Sequence, residues 1–314
     1  MISETPFPLS EDFPSAPAID LARTIHKTAD ETARDLRGDF YEPDKPRTVW
    51  HSPQELALYY ELAAGMYQPR DTEGYILQCG CWCGGSACAF AGGLRDHPSP
   101  FSPVIAIDHF GHMKHGLDLR QMKEMPFLET RRTQYKLGLK RHLTLVVSYD
   151  VEYLEAFWTR PIRVGFIDSS HGEMHTLDEI RVLEPWVVKN GFLAFHDYYV
   201  NSQNVKNDVN TYFSKLDRDF EAYNFQSTTF IIHFREWYET FFTNNRFWKT
   251  TKMTPILELD STTILTRSRT VRAKRIYNSD RTCGKRGASL SIRTWRSYSP
   301  NTYDYHDRRL QSVR

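Results

Sequence analysis

The chain has 314 residues, room for one large domain with extensions. Its 40% hydrophobic fraction with 14% aromatics supports a core, and a formal net charge of +1 supplies no global field toward nucleic acid or an acidic membrane. It has no run of about 18 apolar residues, and the start MISETPFPLSEDFPSAPAID lacks the basic and then apolar pattern of a signal peptide. A cytoplasmic location with no membrane partner is therefore expected.

Residues 1–48 read as an N-terminal extension, punctuated by Pro6, Pro8, Pro14, Pro17, Pro43 and Pro46, with one helix expected over Ile19–Leu36. A second helix is expected over His51–Gly65: Ser52 can cap, Pro53 suits the first position and Glu55 completes a capping box. Strand Tyr75–Gln78 then runs into the glycine-rich turn of GYILQCGCWCGGSACAFAGGL (Gly74–Leu94), followed by a small-residue helix near Ser86–Leu94. A strand, a glycine turn and a helix N-terminus form a ready cradle for a nucleotide-like ligand. The spacing is neither G-x-G-x-x-G, because Trp82 stands at the second glycine, nor a P-loop. The clustered Cys79, Cys81, Cys83 and Cys88 read as small, soft packing residues rather than a zinc or disulfide site.

From there strands and helices alternate. Strand Val104–Ile107 ends on Asp108. Helix Phe127–Leu137, strand Leu143–Val147 and helix Val151–Phe157 lead to strand Val164–Ile167, which ends on Asp168. Helix Leu177–Val188 and strand Phe192–Phe195 deliver His196-Asp197. Helix Asn204–Leu216 precedes a final strand, Thr229–Phe234. This is the pattern of a doubly wound α/β sheet, in which ligands bind at the carboxyl ends of the strands. Asp108, about 20 to 30 residues past the glycine turn, suits a ribose diol. Asp168 and Asp197 would face one crevice if their strands are neighbours, and two carboxylates suit a magnesium ion. His171 and His196 are candidate bases or ligands, whereas His175 is expected to be a solvated helix residue. Glu236–Lys249, rich in aromatics, is expected to be an amphipathic helix that packs on the core. Residues 267–314, rich in Arg, Ser, Tyr and Asn, are expected to be a disordered basic tail.

The segment IDSSHGEMHTLDEIRVLEPWVVKNGFLAFHDYY, Ile167–Tyr199, carries a resemblance through Asp168, His171, Asp178, Trp186, Gly191, His196, Asp197 and Tyr198. It resembles class I S-adenosylmethionine-dependent methyltransferases, nearest in pattern to the small-molecule O-methyltransferases that include the macrocin group, with cephalosporin-hydroxylase-like proteins nearby. ILQCGCWCGGSACAF is similar to their cofactor loop, and the resemblance spans residues 55–235. It implies a seven-stranded, mostly parallel Rossmann-like sheet with its last strand antiparallel, forming a domain over 49–266. S-adenosylmethionine would be the cofactor. Gln78, Gly80, Gly84 and Ser86 would sit at its methionine part, Asp108 at its ribose, the Ser148–Asp150 region at its adenine, and Asp168 beside it. In metal-dependent relatives, carboxylates matching Asp168 and Asp197 hold magnesium. The reaction would methylate an oxygen of a small hydroxylated molecule.

The chain departs from the family pattern at Gln78, where an acidic residue is usual, at Ser169-Ser170, Met174 and Asn190, and at His196, which replaces a carboxylate of the strongest metal binders. A catalytically weak or inactive binding protein with the same fold stays open, as does a homo-oligomer. An NAD-dependent oxidoreductase is disfavoured by Trp82, and nucleic acid by the absence of a basic stripe with interleaved aromatics.

Overall fold

The computed structural model describes residues 2–38, 41, 49–110, 119–199 and 203–235, apart from the side chains of 119–125. The aromatic segment Glu236–Lys249 and the basic segment 267–314 lie outside them. The elements are β1 (Thr5–Pro6), α1 (Ala16–Arg37), α2 (Pro53–Ala64), β2 (Tyr75–Cys79), α3 (Gly85–Asp96), β3 (Val104–Asp108), α4 (Leu119–Lys136), β4 (Leu143–Val147), α5 (Asp150–Phe157), β5 (Ile162–Ile167), α6 (His175–Leu183), β6 (Val187–Phe195), α7 (Gln203–Phe213), β7 (Phe220–Phe225) and β8 (Thr229–Phe234).

They form one sheet in the order β1-β7-β8-β6-β5-β2-β3-β4. Pairing is parallel except for β8, which runs antiparallel to both β6 and β7. Alternate strand residues feed opposite faces, as a sheet covered on both sides requires. Ile76, Val104, Ala106, Val164, Phe166 and Phe192 pack with residues of α1, α2 and α3. Leu77, Ile105, Ile107, Ile162, Leu193 and Phe195 pack with residues of α5, α6 and α7.

The N-terminal extension belongs to this core. Ala18, Leu21, Ala22 and Ile25 of α1 are buried against it, and Arg37 makes a two-pronged ion pair with Glu129 of α4 at 2.6 and 2.9 Å. Glu129 in turn lies 3.0 Å from the Cys83 thiol in the glycine turn. All four clustered cysteines are buried and free. Burial pushes their thiols up, Cys88 to about 12, which keeps them as packing groups.

Three expectations change. Helix Leu177–Val188 stops at Leu183, and Glu184–Trp186 forms a 3-10 turn. Pro185 has no N–H to continue the helix, so β6 begins at Val187, five residues early. Strands β7 and β1 were not anticipated. β1 has only two residues and is held at the edge by pairing Thr5 with Tyr223.

Candidate active site

The sheet order reverses between β2 and β5, where β2 has β3 on one side and β5 on the other. Helices leave in opposite directions at such a point and open a crevice. The register sets Cys79 level with Ile107 and with Ile167, and Ile167 level with Phe195. Gly80, Asp108, Asp168 and His196 therefore emerge side by side.

The turn after β2 is shaped from below. A Cβ on Gly80 would lie 2.0 Å from the Asp168 carbonyl oxygen, and its φ is +78°, so only glycine fits this close crossing. Gln78 is fully buried; its amide donates to the Gly80 carbonyl at 2.6 Å and the Ser86 hydroxyl at 2.8 Å. From above, Asp108 Oδ2 accepts the N–H groups of Cys81 (2.7 Å) and Trp82 (2.8 Å), and Oδ1 accepts that of Phe110 (2.5 Å). Trp82 itself takes a left-handed φ of +47°.

A first cavity of about 610 Å³ opens over this turn, within the usual range for small-molecule sites. Gly80, Asp108, Tyr149, Asp150, Asp168 and His175 are among its lining residues. His175 Nε2 stands 3.4 Å from Asp150 Oδ2. Burial opposes ionisation of Asp150, but the His175 contact together with the Val151 N–H outweighs it and holds that carboxyl below its ordinary value. Beneath them Glu179 is fully buried, and burial followed by the Asp150 charge holds its carboxyl well above the ordinary range.

A second cavity, about 410 Å³, adjoins the first and shares Trp82, Asp168 and Ser169 with it. Its floor is a cluster of imidazoles and carboxylates. His196 Nδ1 lies 3.2 Å from Asp168 Oδ1 and 3.4 Å from Asp197 Oδ1; its Nε2 lies 3.3 Å from Glu55 Oε1. His51 Nε2 is 3.2 Å from Asp168 Oδ2, and His171 Nε2 is 3.3 Å from Asp197 Oδ2. Burial alone would lower the His196 pKa, but the three carboxylates around it push it up to about 12. Against burial, the His196 ring, with Thr228 and His51, brings Glu55 down to about 2, and His196 with His51 holds Asp168 well below the usual carboxylate range.

Two of these groups come from the N-terminal end of α2. Ser52 and Glu55 form the expected capping box: the Ser52 hydroxyl accepts the Glu55 N–H at 3.2 Å and Glu55 Oε2 accepts the Ser52 N–H at 2.7 Å. Thr228, just ahead of β8, donates to Glu55 Oε1. The cap that starts the helix thus places His51 and Glu55 against the ends of β5 and β6.

Of the sequence-derived candidates, Gly80, Asp108, Asp150 and Asp168 line the first cavity, and Asp168, His171, His196 and Asp197 the second. Gln78, Gly84 and Ser86 line neither. The first and last are tied to each other, and Gly84, at φ +83°, abuts the Thr130 side chain. His175 is a partnered residue of the cavity wall, not a solvated helix position. His51, and Glu55 as a partner of His196, went unread. Their only signal was the capping box, which speaks of a helix start and not of what the helix start faces.

Residues 77–198 match the model of a family described as a methyltransferase domain. A search of curated proteins finds no sequence match. Among solved structures, the O-methyltransferase NovP shares 16% identity, with 70% of this chain and 99% of that one superposed at a TM-score of 0.51. An S-adenosylhomocysteine-bound methyltransferase of Podospora anserina, PaMTH1, shares 14% identity over 75% of this chain and 100% of its own, at a TM-score of 0.48. At such identities the likeness to NovP speaks for the fold. The match over residues 77–198 takes in the whole lining of the first cavity, and that of the second apart from Val49, Trp50, His51, Glu55 and Thr228.

Proposed function

Starting from a methyltransferase domain, we propose that this chain uses S-adenosylmethionine to methylate an oxygen of a small hydroxylated molecule. The observation that supports it most is that the two cavities meet at Asp168, Trp82 and Ser169. A donor in the first and an acceptor in the second would share one boundary, as an in-line transfer needs.

In this reading the first cavity takes the cofactor, with its adenosine toward Asp108, Tyr149 and Asp150. Asp108 Oδ2 already accepts two N–H groups, so a ribose hydroxyl would meet Oδ1, which accepts one backbone N–H, that of Phe110. The second cavity takes the acceptor between Val49, Trp50 and Trp82. His171, with Asp197 behind its Nε2, stands at that cavity and is the group placed to receive the acceptor's proton. The acceptor oxygen bonds to the methyl carbon as the carbon–sulfur bond breaks, leaving a neutral thioether. His196 is boxed between Glu55, Asp168 and Asp197 and does not share that role.

The family resemblance implies magnesium. Asp168 and Asp197 are ligands it would take, yet His51, His171 and His196 put ring nitrogens against the same two carboxylates. Magnesium takes oxygen ligands and keeps its waters. These residues do not fit it, and no step here runs through it.

Calorimetric titration of S-adenosylmethionine into the full chain tests the reading. One site is expected, and Asp108→Ala should weaken it at least about tenfold, the scale of losing a buried hydrogen-bond acceptor. No binding at millimolar cofactor would overturn it. A second reading, a binding protein without turnover, is favoured by the engagement of both Asp108 oxygens with backbone N–H groups. Methyl transfer to any member of a panel of hydroxylated acceptors would end it.

A further inference from the structure

We propose that His51, Asp168 and His196 form a site for a zinc-class divalent ion on the floor of the second cavity. Three observations carry it. The first is donor placement: one oxygen or ring nitrogen from each of the three lies within 4.8 Å of the others. Asp168 Oδ2 stands 3.2 Å from His51 Nε2 and Asp168 Oδ1 stands 3.2 Å from His196 Nδ1, so each ring faces its own oxygen of the one carboxylate. Donors that share a zinc ion at about 2.0–2.2 Å stand about 3.0–3.5 Å apart.

The second observation is misalignment. Both ring nitrogens are buried and make no hydrogen bond, although each is within ion-pair reach of Asp168. His51 and His196 are only 7% and 8% exposed. Buried imidazole nitrogens of this kind ordinarily have a partner. Here each stands 3.2 Å from a common carboxylate with no hydrogen bond formed to it, an arrangement that a third atom shared with that carboxylate would satisfy.

The third is the support behind the ring. His196 presents Nδ1 to the cluster while its Nε2 faces Glu55, itself fixed by Ser52 and Thr228. A carboxylate behind a histidine orients the ring and sets its tautomer, as in many zinc sites. Two imidazoles and one carboxylate suit zinc and similar transition ions over magnesium or calcium. Three protein ligands leave a position open toward the cavity. The site stands on its own geometry; its use in activating an acceptor hydroxyl rests on the methyltransferase reading.

The test is metal binding by the full chain after chelator treatment, measured for zinc by competition with a chromophoric chelator and for magnesium by calorimetry. One zinc per chain is expected, bound at least about 100-fold more tightly than magnesium, with at least about tenfold loss in His51→Ala and in His196→Ala. His196→Asp, which restores an oxygen donor, should narrow the zinc-to-magnesium ratio at least about tenfold. Circular dichroism melts identify a variant that fails to fold, and the remaining two then decide. Cobalt substitution should give visible ligand-field bands with no thiolate charge-transfer band, since the clustered thiols are buried. Magnesium bound as tightly as zinc, zinc binding indifferent to every folded variant, or a cobalt–thiolate band would overturn the proposal. Cofactor titration on the same metal-free sample separates the two ideas: cofactor binding with no zinc site overturns this proposal alone, and a zinc site with no cofactor binding overturns the function alone.

Discussion

At the ends of β2 and β3 the turn beneath the first cavity is held in place largely through its backbone. Gly80 crosses the Asp168 carbonyl, and the N–H groups of Cys81, Trp82 and Phe110 converge on one carboxylate. At the ends of β5 and β6 the second cavity is floored by side chains: His51, Asp168, His171, His196 and Asp197, with Glu55 behind. A turn held through its backbone depends on conformation, so it tolerates an unusual sequence such as C-W-C-G-G as long as the turn closes. A cavity made by side chains changes its chemistry with one residue, and His196 is that residue here.

Breaking the backbone side should have the largest effect. Gly80→Ala puts a methyl group into the Asp168 carbonyl at a left-handed φ, and a cost of about 3 kcal/mol or more is expected in urea unfolding. A loss under about 1 kcal/mol would mean that the crossing is looser than drawn. On the side-chain side, His171→Asn should lower kcat for methyl transfer about 100-fold while cofactor affinity stays within about twofold. An unchanged kcat would remove His171 from the chemistry.

Gln78→Glu sharpens the comparison. The family's acidic residue would return, but a carboxylate cannot donate to the Gly80 carbonyl as the amide does at 2.6 Å. Ligand-free stability should fall by about 1–3 kcal/mol, the scale of a buried group left unmatched. A more stable variant would show that the turn is built for an acid. The smallest effect is expected at Trp50, which is 62% exposed on the rim of the second cavity. Trp50→Ala should raise the acceptor KM only about threefold, because little of the ring leaves water. A loss of kcat instead would place it in the reaction.

The same contrast explains what was legible in the sequence. Strand ends at Gly80, Asp108, Asp168 and His196 could be read because apolar runs stop there, and parallel pairing brings stops together. The identity of the groups that close the second cavity could not. His51 and Glu55 arrive from a helix cap far away in the chain, and periodicity reports which face of a helix is apolar, not what its first turn touches. Gln78, Gly84 and Ser86 stand at positions that the resemblance picks out, but spacing does not say whether such a residue lies inside a turn or on its surface. β7 escaped because FEAYNF offers a short, mixed pattern whose partner, β8, is what makes it a strand.

The central claim is that donor and acceptor meet at Asp168. A crystal structure of the full chain with S-adenosylhomocysteine tests it most directly. The account predicts adenine beside Tyr149 and Asp150, ribose at Asp108, and the sulfur turned toward the second cavity over Asp168. A sulfur turned away from that cavity, or a ligand seated among His51, His171 and His196 instead, would contradict it.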